Sequence, residues 1–183
     1  INDIKIYGTK LTLGLLENKL KEHNLMNTGE RICINQGGRF KLGVFEIEFI
    51  SVTHSIADAV ALAINSPVGM IIHSGDFKVD YTPIYGESID LQRFAELGKK
   101  GVLLFLCEST NVESKGYTLS EKNIGAIFEE IFDDSTSQRI MVATFSSNIH
   151  RIQQIVNSAI KHNRKISVMG RSMVNSVKTA GEL

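Results

Sequence analysis

The fold is decided first by residues 70–77, which read MIIHSGDF. A short apolar run typical of a buried strand ends here in a series of polar residues and a glycine. Residues 47–55, IEFISVTHS, have the same form. A strand end is a rigid support for a side chain, and adjacent strands bring their ends together. The two patterns therefore predict neighbouring strands with His54 and Asp76 at their ends.

Outward from these stretches, the first half of the chain has the pattern of strands joined by turns. Residues 4–7 and 30–35 predict strands, and residues 11–23 predict a helix with Thr9 or Thr12 as its N-cap. A turn follows at residues 36–38, and residues 40–52 alternate as a long strand or a hairpin arm. Residues 59–65 and 68–73 predict paired strands around Ser66-Pro67.

The second half alternates between strand and helix patterns. Helices are predicted at residues 90–99, 120–132, 148–162 and 171–183, and apolar strands at 101–106, 139–145 and 165–169. This rhythm is typical of a parallel α/β sheet whose strands are buried on both faces. The predicted class is α/β, with one domain at residues 1–119 and the start of a second at 120–183.

The composition describes an ordinary globular chain. Of 183 residues, 43% are hydrophobic and 22% charged. Lys plus Arg equals Asp plus Glu at 20 each, so a basic nucleic-acid footprint would have to be local. The absence of a long apolar run or signal peptide predicts a soluble, cytoplasmic protein without membrane contact. Cys33 and Cys107 are predicted to be buried, reduced thiols.

The polar residues at the two strand ends have a chemical and a structural interpretation. Imidazole suits zinc, and a carboxylate can bridge two cations, so His54 and Asp76 would serve as metal ligands. A hydrogen-bonded histidine and a turn-forming aspartate explain the same residues. Gly75 would let the backbone approach closely beside Asp76.

Several longer strings resemble a known family in order along the whole chain. They are residues 7–12, 53–59, 73–78, 93–98, 107–113, 143–151 and 170–173. Residues 53–59 and 73–78 resemble the third and fourth metal motifs of the metallo-β-lactamase superfamily. The strings CESTNVE (107–113) and ATFSSNIHR (143–151) are similar to its β-CASP branch, and within it to the ribonuclease J family. The resemblance implies a partial αββα sandwich followed by the start of a β-CASP domain.

The resemblance also implies roles for individual residues. His54 matches a histidine that binds one of two zinc ions, and Asp76 an aspartate that bridges both. Glu108 matches an acidic residue that orients a histidine thought to protonate the leaving group. Residues Phe145, Ser146, Ser147 and Asn148 match a loop facing the RNA, although a helix cap explains them equally well.

Four other side chains have open interpretations. His73 is predicted to be a core or supporting residue rather than a ligand. Asp58 would support His54 or act as a cap, of which the cap is favoured. His150 and Arg151 would contact RNA or simply lie on a helix surface.

The family's activity is RNA hydrolysis with two zinc ions, with Mn²⁺ or Mg²⁺ as alternatives in the cell. Its members cut single-stranded RNA internally and degrade it 5′ to 3′, favouring a 5′-monophosphate, and assemble as homodimers or homotetramers. Ile1 is not an initiator methionine, and the family's other metal motifs are absent from the 183 residues. We therefore expect an internal piece with little or no activity alone. The alternatives are another β-CASP endonuclease, a small-molecule hydrolase of this fold or a non-catalytic RNA-binding module.

Overall fold

The computed structural model describes residues 4–182, which form a mixed α/β fold as predicted. Within this range there are two sheets and five helices. The strands are β1 (Lys5–Gly8), β2 (Glu30–Cys33), β3 (Arg39–Leu42), β4 (Phe45–Ser51), β5 (Val60–Ser66), β6 (Gly69–His73) and β7 (Leu104–Leu106). The helices are α1 (Lys10–Glu22), α2 (Leu91–Lys100), α3 (Glu121–Asp134), α4 (Ile149–Lys161) and α5 (Arg171–Glu182).

The larger sheet has the strand order β3-β4-β5-β6-β7. Its first four strands are antiparallel neighbours, and β7 pairs with β6 in parallel. The chain therefore runs in one direction along β4, β6 and β7. As a result, the C-terminal ends of these three strands lie at the same edge of the sheet.

The core lies where α2 covers one face of this sheet. Leu97 on α2 is only 1% exposed and packs with buried residues of β4, β5 and β6, including Ile50 and Ile72. Asp90 is the N-cap of α2, and its carboxylate accepts a hydrogen bond from the Arg93 N–H at 2.9 Å. The Arg93 guanidinium then binds Glu48 on β4 with two hydrogen bonds of 2.8 and 2.9 Å. A paired, planar ion contact of this kind fixes the helix on the sheet.

The smaller sheet is a parallel pair, β1 and β2, joined through α1. The ring of Tyr7 on β1 stacks on Phe40 of β3, with centroids 4.3 Å apart and planes 7° from parallel. Phe40 in turn meets Phe49 edge to face at 5.6 Å. This aromatic series joins the two sheets.

The last third of the described chain consists of packed helices. Phe128 and Phe132 of α3 are buried, as is Ala159 of α4. The Glu129 carboxylate on α3 accepts hydrogen bonds from Ser158 (2.6 Å) and from Lys161 on α4. Helix α5 reaches back to α1, where the Asn18 amide donates to Thr179 at 2.9 Å.

Two of the predicted strands do not form. Residues 139–145 and 165–169 have no regular secondary structure, and most of their apolar side chains are exposed, Met141 to 89%. The Arg164 guanidinium donates to the carbonyl groups of Ser135 (2.8 Å) and Gln138, so the two segments begin side by side. A strand requires a backbone partner, and no described residue pairs with either segment. An apolar sequence is therefore not enough to form a strand when no neighbouring strand is present to pair with it.

Three further expectations are corrected or resolved. Residues 40–52 are not one strand, because a turn at Gly43 (φ +59°) folds them into the β3–β4 hairpin. The parallel strand β7 is confirmed, but it is an edge strand and Phe105 is 55% exposed. Cys33 and Cys107 are exposed rather than buried, because each lies at the end of an edge strand. Their thiols are free.

Candidate metal and nucleic-acid site

The candidate site lies at the sheet edge where β4, β6 and β7 end. The loop after β4 contains His54, the loop after β6 contains Asp76, and Glu108 follows β7. All three residues line one cleft of about 720 Å³. The two strands predicted to be neighbours are not adjacent, because β5 lies between β4 and β6. Residues 54, 76 and 108 come together because β4, β6 and β7 run in the same direction and end at one edge of the sheet.

A pair of hydrogen bonds joins the first two loops. The Lys78 backbone N–H donates to the Thr53 carbonyl at 2.7 Å, and the Thr53 hydroxyl donates to the Lys78 carbonyl. Thr53 is buried, while the neighbouring His54 is half-buried with its Nδ1 3.1 Å from the Ser55 hydroxyl. Thr53 was missed from the sequence, because a threonine beside a histidine gives no sign of a partner 25 residues away.

Asp76 owes its position to the turn before it. Gly75 has a φ of +60°, and a Cβ there would lie 2.8 Å from the Val60 carbonyl oxygen. His73 Nδ1 accepts a hydrogen bond from the Gly75 N–H at 3.0 Å. His73 therefore supports the turn and, being exposed, is not a core residue. That it does not bind a metal stays a prediction. Asp76 itself is exposed to the cleft.

Ser74 joins the Asp76 loop to Glu108. Its backbone N–H donates to the Leu106 carbonyl at 2.9 Å, and its hydroxyl oxygen accepts from the Glu108 N–H at 3.0 Å. The Glu108 carboxylate accepts from the Thr110 N–H at 2.8 Å. Hydrogen bonds from Thr110 lower the pKa of Glu108, aided by the Phe77 backbone and His54 and opposed by partial burial. Glu108 is therefore an ionised hydrogen-bond acceptor at neutral pH.

The opposite wall of the cleft comes from the segment that precedes α4. Phe145, Ser147 and Asn148 line the cleft, whereas Ser146 does not. The Asn148 side chain accepts from the Arg151 N–H at 3.1 Å and caps α4, so the cap interpretation holds for this residue. Phe145 is 82% exposed. Contact of these residues with RNA stays a prediction.

His150 and Arg151 do not lie on a free helix surface. His150 is buried with its ring 5.9 Å from that of Tyr85, and its Nε2 has no hydrogen-bond partner among residues 4–182. Burial lowers the His150 pKa, against a smaller opposing effect of Glu121. Arg151 donates to both oxygens of Glu121, at 2.9 and 3.1 Å. Neither side chain presents a free positive charge to the cleft.

The charges of the cleft favour a bound cation. Five carboxylates line it, against the two cationic side chains of Lys78 and Arg151; the acids are Asp76, Asp80, Glu87, Glu108 and Glu121. An imidazole and a carboxylate are suitable donors for zinc. Residues 4–182 nevertheless contain no group of three or more His, Cys, Asp or Glu side chains able to hold a metal ion. The donors present fit zinc in kind but do not complete a site.

Comparisons with known proteins identify the family of the chain. A sequence profile described as "Ribonuclease J, beta-CASP domain" matches residues 137–183. A ribonuclease J from Synechocystis sp. is 45% identical over 179 residues, covering 97% of this chain and 28% of the relative. The chain belongs to the ribonuclease J family. The predicted family is confirmed.

Other members of the ribonuclease J family match over similar lengths. A ribonuclease J from Helicobacter pylori is 45% identical, covering 97% of this chain and 26% of the relative. A ribonuclease J from Thermus thermophilus is 40% identical, covering 98% of this chain and 32% of the relative. The chain thus spans between a quarter and a third of the length of these relatives.

A solved structure supports the fold. A protein of unknown function from Enterococcus faecalis matches with a TM-score of 0.63 at 18% identity, over 84% of this chain and 39% of that one. At this identity the likeness concerns the fold alone.

In residues 4–182, none of the helices combines the length and apolarity needed to cross a membrane.

Proposed function

We propose that this chain contributes one part of the active centre of an RNA-hydrolysing ribonuclease J. The observation that carries the proposal is the convergence of His54, Asp76 and Glu108 in one cleft, opposite Phe145, Ser147 and Asn148. The proposed domain division is 1–119 for the metallo-β-lactamase part and 120–183 for the β-CASP part. The cleft then lies between the two parts, where a strand of RNA would pass.

The proposed cofactor is a pair of zinc ions, with Mn²⁺ or Mg²⁺ as alternatives in the cell. His54 would bind one ion and Asp76 would bridge both, with the remaining ligands supplied by parts of the full-length protein outside these residues. Bound zinc supplies Lewis acidity toward water and toward phosphate oxygens. The excess of carboxylates in the cleft supports this, because a polyanionic substrate is repelled there unless cations offset the charge.

The chain's own residues have simpler tasks. His54 and Asp76 are held at fixed separation because Thr53 and Lys78 join their loops. Glu108, ionised and held by Thr110, would orient a histidine donor for the leaving group. Phe145 offers an exposed ring for a base to stack on, and Ser147 a hydroxyl for the backbone. Stacking and backbone contacts bind single strands without reading sequence.

We further propose that the substrate is single-stranded RNA with a preferred 5′-monophosphate, cut internally and from the 5′ end. The full-length protein is proposed to act in the cytoplasm as a homodimer or homotetramer. The 183-residue chain by itself is proposed to have little or no activity, since residues 4–182 lack a three-ligand metal group. That same observation favours the second candidate function, a non-catalytic RNA-binding module.

Metal content and cleavage measured together test the proposal. Full-length protein with His54→Ala or Asp76→Asn should lose bound zinc by elemental analysis and lose cleavage of labelled 5′-monophosphate RNA. His23→Ala and Asp134→Asn, at exposed positions outside the cleft, are the matched controls and should retain both. RNA binding without zinc or cleavage in the unaltered protein would support the module instead.

The substrate end is tested separately. The same labelled RNA carrying a 5′-monophosphate, a 5′-triphosphate or a 5′-hydroxyl should be degraded fastest in the monophosphate form. Cleavage independent of the 5′ end would favour another β-CASP endonuclease. Robust, EDTA-sensitive cleavage by the 183-residue chain alone would contradict the proposed division of the active centre.

A further inference from the structure

Asp80 is a buried carboxylate that none of the proposed catalytic steps uses. It lies in the segment after Asp76 and is 6% exposed. Its two oxygens serve different parts of the chain. Oδ1 accepts from the Thr82 N–H at 3.0 Å, and Oδ2 accepts from the Glu121 N–H at 3.1 Å, 41 residues away in the first turn of α3.

Further contacts join the same two segments. The Thr82 hydroxyl donates to the Ser120 hydroxyl oxygen at 3.0 Å, and the Ser120 hydroxyl donates to the Thr82 carbonyl oxygen at 3.0 Å. The Lys78 ammonium donates to the Leu119 carbonyl at 2.6 Å and lies 3.8 Å from Asp80 Oδ2. We call residues 78–82 together with 119–121 the Asp80 junction.

The Asp80 junction lies between the two walls of the cleft. On one side, Lys78 is hydrogen-bonded through its backbone to Thr53, beside His54. On the other side, the Glu121 carboxylate binds the Arg151 guanidinium at 2.9 Å and lies 3.5 Å from the Lys78 ammonium. Arg151 donates its N–H to Asn148, the last residue of the opposite wall. The contacts therefore run without a break from the His54 wall to the Asn148 wall.

The junction depends on Asp80 being ionised. Burial raises the pKa of this carboxyl, but hydrogen bonds from Thr82, Ser120 and Glu121 and the charge of Lys78 outweigh burial and hold the pKa below its usual range. A carboxylate accepts with both oxygens, whereas an asparagine amide accepts with one. Because the Thr82 and Glu121 N–H groups bind different oxygens, Asp80→Asn would place an NH2 group against one of them.

We propose that Asp80 is a positioning residue, which sets the separation of the two cleft walls by joining the Asp76 loop to the first turn of α3. It does not touch the substrate. Its effect should grow with the length of RNA that contacts both walls. This inference deepens the proposed function and rests on it for the identity of the substrate, but the geometry can be tested without it.

The wall separation can be measured in the full-length protein, with any cysteine outside these 183 residues replaced by serine. Spin labels are attached at native Cys33 and at Ile160→Cys in a Cys107→Ser background, since both positions are exposed, the first at the end of β2 and the second on α4. Asp80→Asn should broaden or shift the distance distribution. Asp90→Asn is the matched control, because Asp90 also accepts from a first-turn N–H but caps α2 within the first half. An Asp80→Asn distribution that superimposes on the control would overturn the proposal.

Thr82→Val keeps the inference testable if Asp80→Asn fails to fold. Thr82 is exposed, and the change removes its hydroxyl from Ser120 while leaving the Asp80 charge in place. A smaller broadening in the same direction is expected. If Asp80→Asn does not fold and the distance distribution of Thr82→Val is unchanged, Asp80 contributes only to stability and the positioning role is rejected.

Activity of the full-length protein supplies a second readout. Asp80→Asn should lower kcat/KM for a long single-stranded RNA by on the order of tenfold to a hundredfold, the effect of a misplacement near 1 Å. Hydrolysis of a small phosphodiester that contacts only the wall with His54 and Asp76 should be unchanged. The zinc content of the protein should also be unchanged. Equal losses on both substrates would overturn the proposal. If the unaltered protein hydrolyses neither, the proposed function fails while the distance measurement still decides the role of Asp80.

Discussion

The Asp58 carboxylate accepts a hydrogen bond of 2.8 Å from the backbone N–H of Leu11, 47 residues earlier in the chain. Asp58 therefore caps the first turn of α1, whose own N-cap residue, Thr9, makes no side-chain cap hydrogen bond. This hydrogen bond fixes the loop that contains His54 to α1, the helix that connects the two strands of the smaller sheet.

Loss of this distant cap should lower stability. We expect Asp58→Ala to lower the free energy of unfolding by about 0.5–2 kcal/mol, as for other N-cap losses. Urea unfolding followed by circular dichroism measures the change. Asp134→Ala removes an exposed aspartate from the C-terminal end of α3 and should be neutral or slightly stabilising. Equal effects of the two substitutions would show that the Leu11 contact contributes nothing.

The turn before Asp76 should reject any side chain. Gly75→Ala forces a left-handed residue, at a cost of about 1–2 kcal/mol, and brings its Cβ against the Val60 carbonyl. Gly43→Ala is the matched control, because Gly43 has a similar φ of +59° and an open surrounding. The excess loss of stability at residue 75 over residue 43 measures the clash. Equal losses of stability at the two positions would mean that β5 moves away from the added methyl group without a measurable free-energy cost.

Acid should weaken the α3–α4 contact at Glu129. Hydrogen bonds from Lys161 and Ser158 lower the pKa of Glu129 to about 2, against 4.5 for an ordinary glutamate. A depressed folded-state pKa stabilises the fold above the unfolded value, and this stability is lost as pH falls from 4.5 toward 2. Glu129→Gln should therefore be less stable than the unaltered chain at pH 7, with the difference disappearing near pH 2.

Glu130→Gln serves as the control for this pH dependence, since Glu130 is the exposed neighbour on the same helix. It should leave the stability curve unchanged between pH 7 and 2. If the loss of stability in Glu129→Gln were as large at pH 2 as at pH 7, the contact would stabilise the protein through packing rather than through charge.

An exposed ring on the cleft should bind an unpaired base. We expect Phe145→Ala to weaken binding of single-stranded RNA to the full-length protein by about 1–3 kcal/mol, the range for one stacked base. Fluorescence anisotropy with a labelled oligonucleotide measures it. Tyr81→Ala removes another exposed ring, one that does not line this cleft, and should bind normally. Equal binding by the Phe145 variant would remove this residue from the RNA path.

Much of the local structure could be predicted from the sequence. Asn148 caps α4, as its residue type favours, and the paired strands around Ser66-Pro67 form as expected. These predictions succeeded because a cap or a tight turn involves residues only a few positions apart. The family was equally recognisable, because its motifs are contiguous strings.

The predictions that failed concern partners far away in the chain. Residues 139–145 have the composition of a buried strand but pair with no strand in residues 4–182, and the Cys107 thiol is exposed because β7 is an edge strand. The strand pattern does not say whether a neighbour is present. The same limit hid the Thr53–Lys78 contact and the Asp80 junction.

By itself, the sequence determined the α/β class, the five helices found in residues 4–182, and the family, since each depends on short-range propensity or contiguous residues. The sequence predicted that His54 and Asp76 lie together at strand ends. Only the tertiary structure decided that both share one cleft with Glu108, that Asp58 caps α1, and that Asp80 joins the two walls. The reason is physical: strand direction and long-range hydrogen bonds bring together residues whose separation along the chain carries no sign of their contact.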